Sequence, residues 1–202
     1  MKSKKPENLK ETLLEEAFKV IEEKGVEKLS LREVARGLGV SHQAPYKHFP
    51  SRDHILAAVV AKCFERFANH LRARPKGQTP EEDLSNMGAA YLGFAQANPL
   101  MYRLMFNTPL PPMQDHPDML RNGQVAFSLL RDRLETMSLR KLPADVDNPA
   151  KHDALFIWSL LHGFTSLMQA DAMATVQLSE QDRDASVMRM FRRLSLAIDL
   201  TG

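Results

Sequence analysis

The chain has 202 residues, 44% hydrophobic and 26% charged, which suits one large domain or a small domain fused to a larger one. No apolar run reaches the roughly 18 residues of a membrane span, no apolar stretch follows the basic first residues as a secretory signal requires, and the single cysteine, Cys63, excludes an intrachain disulfide. The expectation is a cytoplasmic protein without a membrane partner, and its net charge of +2 hides an asymmetry: residues 1–78 hold 16 Lys and Arg against 10 Asp and Glu, whereas residues 79–202 hold 11 against 15, so only the front of the chain suits a polyanion.

Helical spacing recurs and strand-like alternation is never sustained, which predicts an all-α fold of about nine helices. The first opens at Asn8, with Glu11 as its capping-box partner, and buries Leu13, Leu14, Ala17, Phe18 and Ile21 before Gly25. A second starts at Ser30 with Glu33 and runs to about Leu38. Gly39 and Val40 turn the chain, Ser41 caps a short third helix ending near Phe49, and Ser51 caps a long fourth with the stripe Leu56, Val59, Cys63, Phe67 and Leu71. Pro75, Lys76 and Gly77 break the chain before Thr79-Pro80-Glu81-Glu82, a cap followed by proline and an acidic first turn. The helix so begun stacks Leu84, Met87, Gly88, Tyr91 and Ala95, and Asn98-Pro99 restarts a short helix through Phe106. A proline-rich loop spans 107–117, and Leu120, Phe127, Leu130, Leu134 and Met137 mark another long helix. Asn148-Pro149 opens the most apolar helix, to about Ala170, and Ser179 opens the last, with Val187, Met190, Phe191, Leu194 and Ile198 on its stripe.

The segment Leu31–Val40 followed by Ser41–Phe49 has the spacing of a helix-turn-helix. Ala35 is the small residue where two helices cross, and Gly39, four residues later, tolerates positive φ in the turn. Helix N-termini at Ser30 and Ser41 offer amides to phosphate, Lys47 and Arg52 add charge, and Tyr46 can donate to the sugar-phosphate backbone. Gln43 matches adenine N6/N7 and His42 can donate to guanine N7. Pro45 falls at the fourth position of the short helix, where it removes a donor and biases Ala44 away from the α region, predicting a helix that starts tightly or late.

Ser30–Val40 and Tyr46–Leu56, the latter with Tyr-Lys-His-Phe and then a basic residue, resemble the tetracycline-repressor (TetR) family of transcription regulators. The resemblance implies that Ser30, Tyr46, Lys47, His48 and Arg52 face phosphates while Ser41, His42 and Gln43 approach base edges; Arg32 is the further DNA-binding candidate. Ala90–Ala95, Asn98–Phe106 and Trp158-Ser-Leu-Leu-His-Gly163 resemble the C-terminal subtype of that family named after its Trp, His and Gly, which implies a helical, dimeric, ligand-binding body.

Trp158 and His162 share a helix face and Gly163 admits a close neighbour. With Tyr91, Phe94, Tyr102, Met105, Phe106 and Phe127 they are the candidates for lining an effector cavity, and the alternative for each is plain packed core. The 149–170 helix is apolar nearly all round, so two faces need cover, one of them supplied by a twin subunit. These readings give a DNA-binding domain at 1–54 and an effector-binding and dimerisation domain at 55–202. The function expected is that of a repressor, released from a pseudo-palindromic operator in double-stranded DNA when a small molecule binds; the alternative is a helical binding or scaffold protein that has lost DNA affinity. No enzyme, cofactor or metal is expected: the chain has no Gly-rich phosphate loop, no HExxH and no nucleophile elbow, and His116, His152 and His162 lack metal-ligand spacing.

Overall fold

A computed structural model of the chain describes residues 8–137, 147–170, 175, 177 and 179–197. Within them lie eight α-helices and no strand. They are α1 (Leu9–Lys24), α2 (Leu31–Gly37), α3 (Arg52–Ala73), α4 (Pro80–Ala97), α5 (Pro99–Phe106), α6 (Pro117–Thr136), α7 (Pro149–Gln169) and α8 (Glu180–Ala197), with short 3-10 turns at Val26–Lys28, Pro45–Lys47 and Met113–Asp115. The ninth expected helix, 41–49, is the difference: it is a turn followed by one of those 3-10 segments, not an α-helix. Ile198, placed on the last stripe, lies outside the described residues.

Local chemistry explains where α1, α2 and α4 begin. Asn8 Oδ1 accepts the Glu11 amide at 3.3 Å, Ser30 Oγ the Glu33 amide at 3.1 Å, and Thr79 Oγ1 the Glu82 amide at 3.1 Å. Glu82 returns its carboxylate to the Gln78 amide at 2.6 Å. At α2 the box is only half made, because the Glu33 carboxylate turns to Lys24 at 2.5 Å and to Arg36 instead. Those two cations hold its carboxyl down to about 2, the Arg36 hydrogen bond being the largest influence.

The helices group into two compact units. The first comprises Met1–Arg66 with Leu100–Gln124. Leu13, Ile21, Val34, Ile55, Leu56 and Val60 form its centre, each almost wholly withdrawn from water and each worth about 1.5–3 kcal/mol in transfer terms. α6 and α5 join this unit through α3: Asn122 Nδ2 donates to the Ala61 carbonyl at 2.9 Å, and the Phe64 and Phe106 rings meet edge to face at 5.8 Å. The second unit comprises Phe67–Pro99 with Val125–Gly202, and in it α4 packs against α7 and α8. Its polar anchor is Asp83, buried at the start of α4. Asp83 accepts Arg74 Nη2 at 3.1 Å and Arg133 Nε at 2.5 Å on one oxygen, and the Gly77 amide at 3.1 Å on the other.

Candidate nucleic-acid interface

The turn that orients the interface is dictated by α2's exit. Gly39 adopts φ +63°, its amide bonds to the Arg36 carbonyl at 3.1 Å, and the Val40 amide reaches back to the Ala35 carbonyl at 3.0 Å. That pair of bonds is a Schellman closure, and it needs a residue at Gly39 that accepts the left-handed region without strain. Val34 and Ala35 are fully buried against α1, so the turn is carried on a rigid base.

Beyond the turn, Ser41, His42 and Gln43 are exposed, and Tyr46 is 45% exposed with Lys47 and His48 beside it. Arg32 of α2 joins His42, Gln43 and Tyr46 around one open recess of about 390 Å³. Exposed donors thus cluster: two imidazoles, an amide, a phenol, a guanidinium and an ammonium. Ser30 is also exposed, its hydroxyl oxygen committed to capping α2. Arg52 differs from the other candidates. It is half-buried, its Nη2 donates to the Val26 carbonyl at 2.8 Å and its Nε to the Leu29 carbonyl at 3.1 Å, so it ties the start of α3 to the connection between α1 and α2.

Two expectations about Pro45 need correction. Ala44 is not displaced from the α region: it sits at φ −61°, ψ −45°. The segment also does not resume as an α-helix, because without a Pro45 amide the Ser41 carbonyl takes the Ala44 N–H at 2.9 Å and three-residue spacing persists through His48. The sequence reading missed the Lys24–Glu33–Arg36 brace under α2. The Glu33/Arg36 spacing could have signalled its local half, whereas Lys24 arrives from another helix.

The eight effector-site candidates divide between the units. Tyr102, Met105 and Phe106 belong to the first, where Tyr102 is fully buried and its ring meets that of Phe106 at a tilt, 5.0 Å between centroids. Tyr91, Phe94, Phe127, Trp158 and His162 belong to the second. There the Tyr91 hydroxyl approaches His162 Nδ1 at 3.5 Å, Trp158 lies 6.4 Å from the His162 ring and 5.7 Å from Phe127, and both Tyr91 and Phe94 pack on Phe67. Burial among these rings pushes the His162 pKa down. Burial also raises the Cys63 thiol to about 12, leaving it protonated and inert as a nucleophile.

The family signature described as bacterial regulatory proteins of the tetR family matches residues 13–59, and the signature described as a tetracyclin repressor-like C-terminal domain matches residues 84–194. The chain belongs to the TetR family. The first signature falls on the helix-turn-helix and the second on most of α4 through α8, which follow it in the chain. The chain is similar to the HTH-type transcriptional regulator Mb1846 of Mycobacterium bovis, 31% identical over 97 residues, which are 46% of this chain and 42% of that protein. The match therefore spans less than half of that relative's length. Similarity to the uncharacterized HTH-type regulator Rv0681 of Mycobacterium tuberculosis extends further: 24% identity over 190 residues, 94% of this chain and 81% of the relative. A solved structure from Rhodococcus sp. RHA1, a protein with unknown function, superposes with a TM-score of 0.74 at 25% identity, covering 94% of this chain and 98% of that one. In this TetR-family chain, no helix of the described residues is long and apolar enough to cross a membrane.

Proposed function

We propose that this regulator is a homodimeric, ligand-responsive repressor whose residues 1–54 hold a pseudo-palindromic operator and whose residues 55–202 bind a small effector that releases it. The observation that carries the DNA half is the exposed recess of Arg32, His42, Gln43 and Tyr46, flanked by Lys47 and His48. Backbone contacts fall to Ser30, Tyr46, Lys47 and His48, base contacts to Ser41, His42 and Gln43. A single short reading segment covers few base pairs, so a two-fold pair with half-sites roughly 34–36 Å apart supplies the needed length.

The twin subunit is supported by α7. Leu155, Phe156 and Leu167 are each about half exposed there, and Gly163 faces open space on the same helix. A stripe with a small residue at its centre suits a close helix–helix crossing. The effector half is supported by the Tyr91–His162 polar pair set among Phe67, Phe127 and Trp158, an arrangement suited to an apolar small molecule bearing one polar group. Release then requires the effector to favour the DNA-incompetent state, with coupling of about 1–3 kcal/mol. The interior of the cell, where chromosomal DNA lies, is the matching location.

The deciding experiment is a gel shift on random duplex DNA across ionic strength, followed by sedimentation of the free protein. Expected are binding that weakens steeply with salt and a dimer. A protein that shifts no duplex at low salt overturns the DNA half. Operator affinity unmoved by every effector that binds the C-terminal domain overturns the release mechanism.

A further inference from the structure

Just past the end of α3 the guanidinium of Arg74 is committed through two of its three nitrogens. Nη1 donates to the Leu71 carbonyl at 2.9 Å, satisfying an acceptor in the last turn of α3, and Nη2 donates to Asp83 Oδ2 at 3.1 Å. Nε is buried without a hydrogen-bond partner, the one side-chain nitrogen or oxygen so placed among the described residues. The side chain that carries it is only 4% exposed. A desolvated donor of a charged group left unpaired is costly, and folded proteins rarely keep one without a reason. Charge is unbalanced at the same place. Arg74 and Arg133 both donate to Asp83 Oδ2, and among the described residues neither pairs with another carboxylate. Two guanidinium groups thus share one anion.

Arg74 also lines an open recess of about 400 Å³ between the end of α3 and the middle of α4. His70 and Asn86 bring polar groups to this recess, whereas Pro75, Ala89 and Ala90 bring short apolar ones. None of these residues is among the candidates for the effector site. We propose that the recess is a separate binding site for a small organic carboxylate, one oxygen of which accepts the Arg74 Nε–H. Such an acid supplies the missing bond and the missing negative charge together, through a charge-assisted hydrogen bond of the stronger kind. The alanines and the proline ring leave room for a short apolar body, the usual complement of a few fixed polar groups in a ligand site. His70 is exposed and Asn86 half-exposed, and surface side chains change rotamer within nanoseconds, which admits the oxygen to the buried nitrogen.

The test titrates the full chain with sodium acetate, butyrate and benzoate, and in separate arms with inorganic phosphate and sodium chloride. Binding is read by calorimetry and by the proton–nitrogen correlation signals of the arginine Nε–H groups in isotope-labelled protein. The Arg74 signal is the one missing from R74K. Expected are saturable binding of butyrate or benzoate at a single site and a displaced Arg74 signal. N86A should weaken that binding about tenfold. A89F, which fills the recess from an exposed position, should abolish it. Binding that A89F leaves intact places the acid elsewhere in the chain and overturns the proposal. So does the failure of all three acids to saturate. Phosphate or chloride that displaces the Arg74 signal as far as the acids do shows an adventitious ion only, and overturns it equally. Should R74K not fold, calorimetry on wild type, N86A and A89F still decides.

Discussion

Gly88 of α4 lies directly beneath the ring of Phe191 of α8: a methyl group added at Gly88 would sit 2.1 Å from Phe191 Cε1 and 2.2 Å from Cζ. Phe191 is itself buried, so its ring has little room to retreat. Replacing this glycine by alanine gains up to about 1 kcal/mol of helix propensity, but overpacking of a closed contact typically costs about 1–3 kcal/mol. G88A should therefore lower stability in urea unfolding, and the added change F191L should recover most of the loss. Equal stability of G88A and wild type would show that α4 and α8 do not pack this closely.

Asp83 supports the other prediction about this unit's core. Burial alone would raise its carboxyl, but the Gly77 amide and the Arg133 and Arg74 guanidinium groups outweigh burial and hold the pKa below the ordinary aspartate value. A group so depressed stabilises the fold above the unfolded-state value of about 3.9, and the stabilisation disappears as pH falls through the folded value. D83N leaves Arg74, 4% exposed in its side chain, without a counter-charge. Breaking a buried pair in this way costs about 3–5 kcal/mol. The expected result is a large drop in the urea midpoint at pH 7 and a flatter acid limb than wild type. A D83N protein whose stability matches wild type at neutral pH contradicts the assignment.

His162 gives a dependence nearer neutrality. Its folded pKa lies below its unfolded value of about 6.5, because burial disfavours the charged ring. Between the two values the unfolded chain binds more protons, so stability is complete above about 6.5 and declines as pH falls toward the folded value. Unfolding midpoints at pH 7.5 and 5.5 should therefore differ in wild type and differ less in H162Q. An identical pH response in the two proteins would remove His162 as the source.

What the chain reveals before folding divides along the range of the interaction. Caps at Asn8, Ser30, Thr79 and Ser179 are readable because donor and acceptor lie three residues apart. Gly39 is readable because a left-handed exit is a property of one residue. Pro45 is readable in direction but not in outcome: the missing amide is local, whereas Ala44 keeps the α region despite the proline that follows it. Asp83 with Arg133, and Gly88 with Phe191, join residues remote in sequence, and no periodicity marks such partners. The candidate interface follows the same division. His42, Gln43, Tyr46 and Lys47 are legible as exposed donors after a turn, while the capture of Arg52 by the Val26 and Leu29 carbonyls depends on how the connection after α1 is folded.

That capture separates Arg52 from Lys47 experimentally. Two charge-assisted bonds to backbone carbonyls brace the helix-turn-helix from within, and the side chain is only half withdrawn from water, so R52A should cost about 1–3 kcal/mol of unfolding free energy. Lys47 is exposed, and K47A should leave stability within about 0.5 kcal/mol of wild type. Operator binding should show the reverse pattern. K47A is expected to weaken binding to all sequences and make the salt slope shallower by about one, whereas R52A, measured below its melting range, keeps the wild-type slope. If R52A instead retains full stability and loses one unit of salt dependence, its guanidinium leaves the two carbonyls on binding and faces phosphate in the complex.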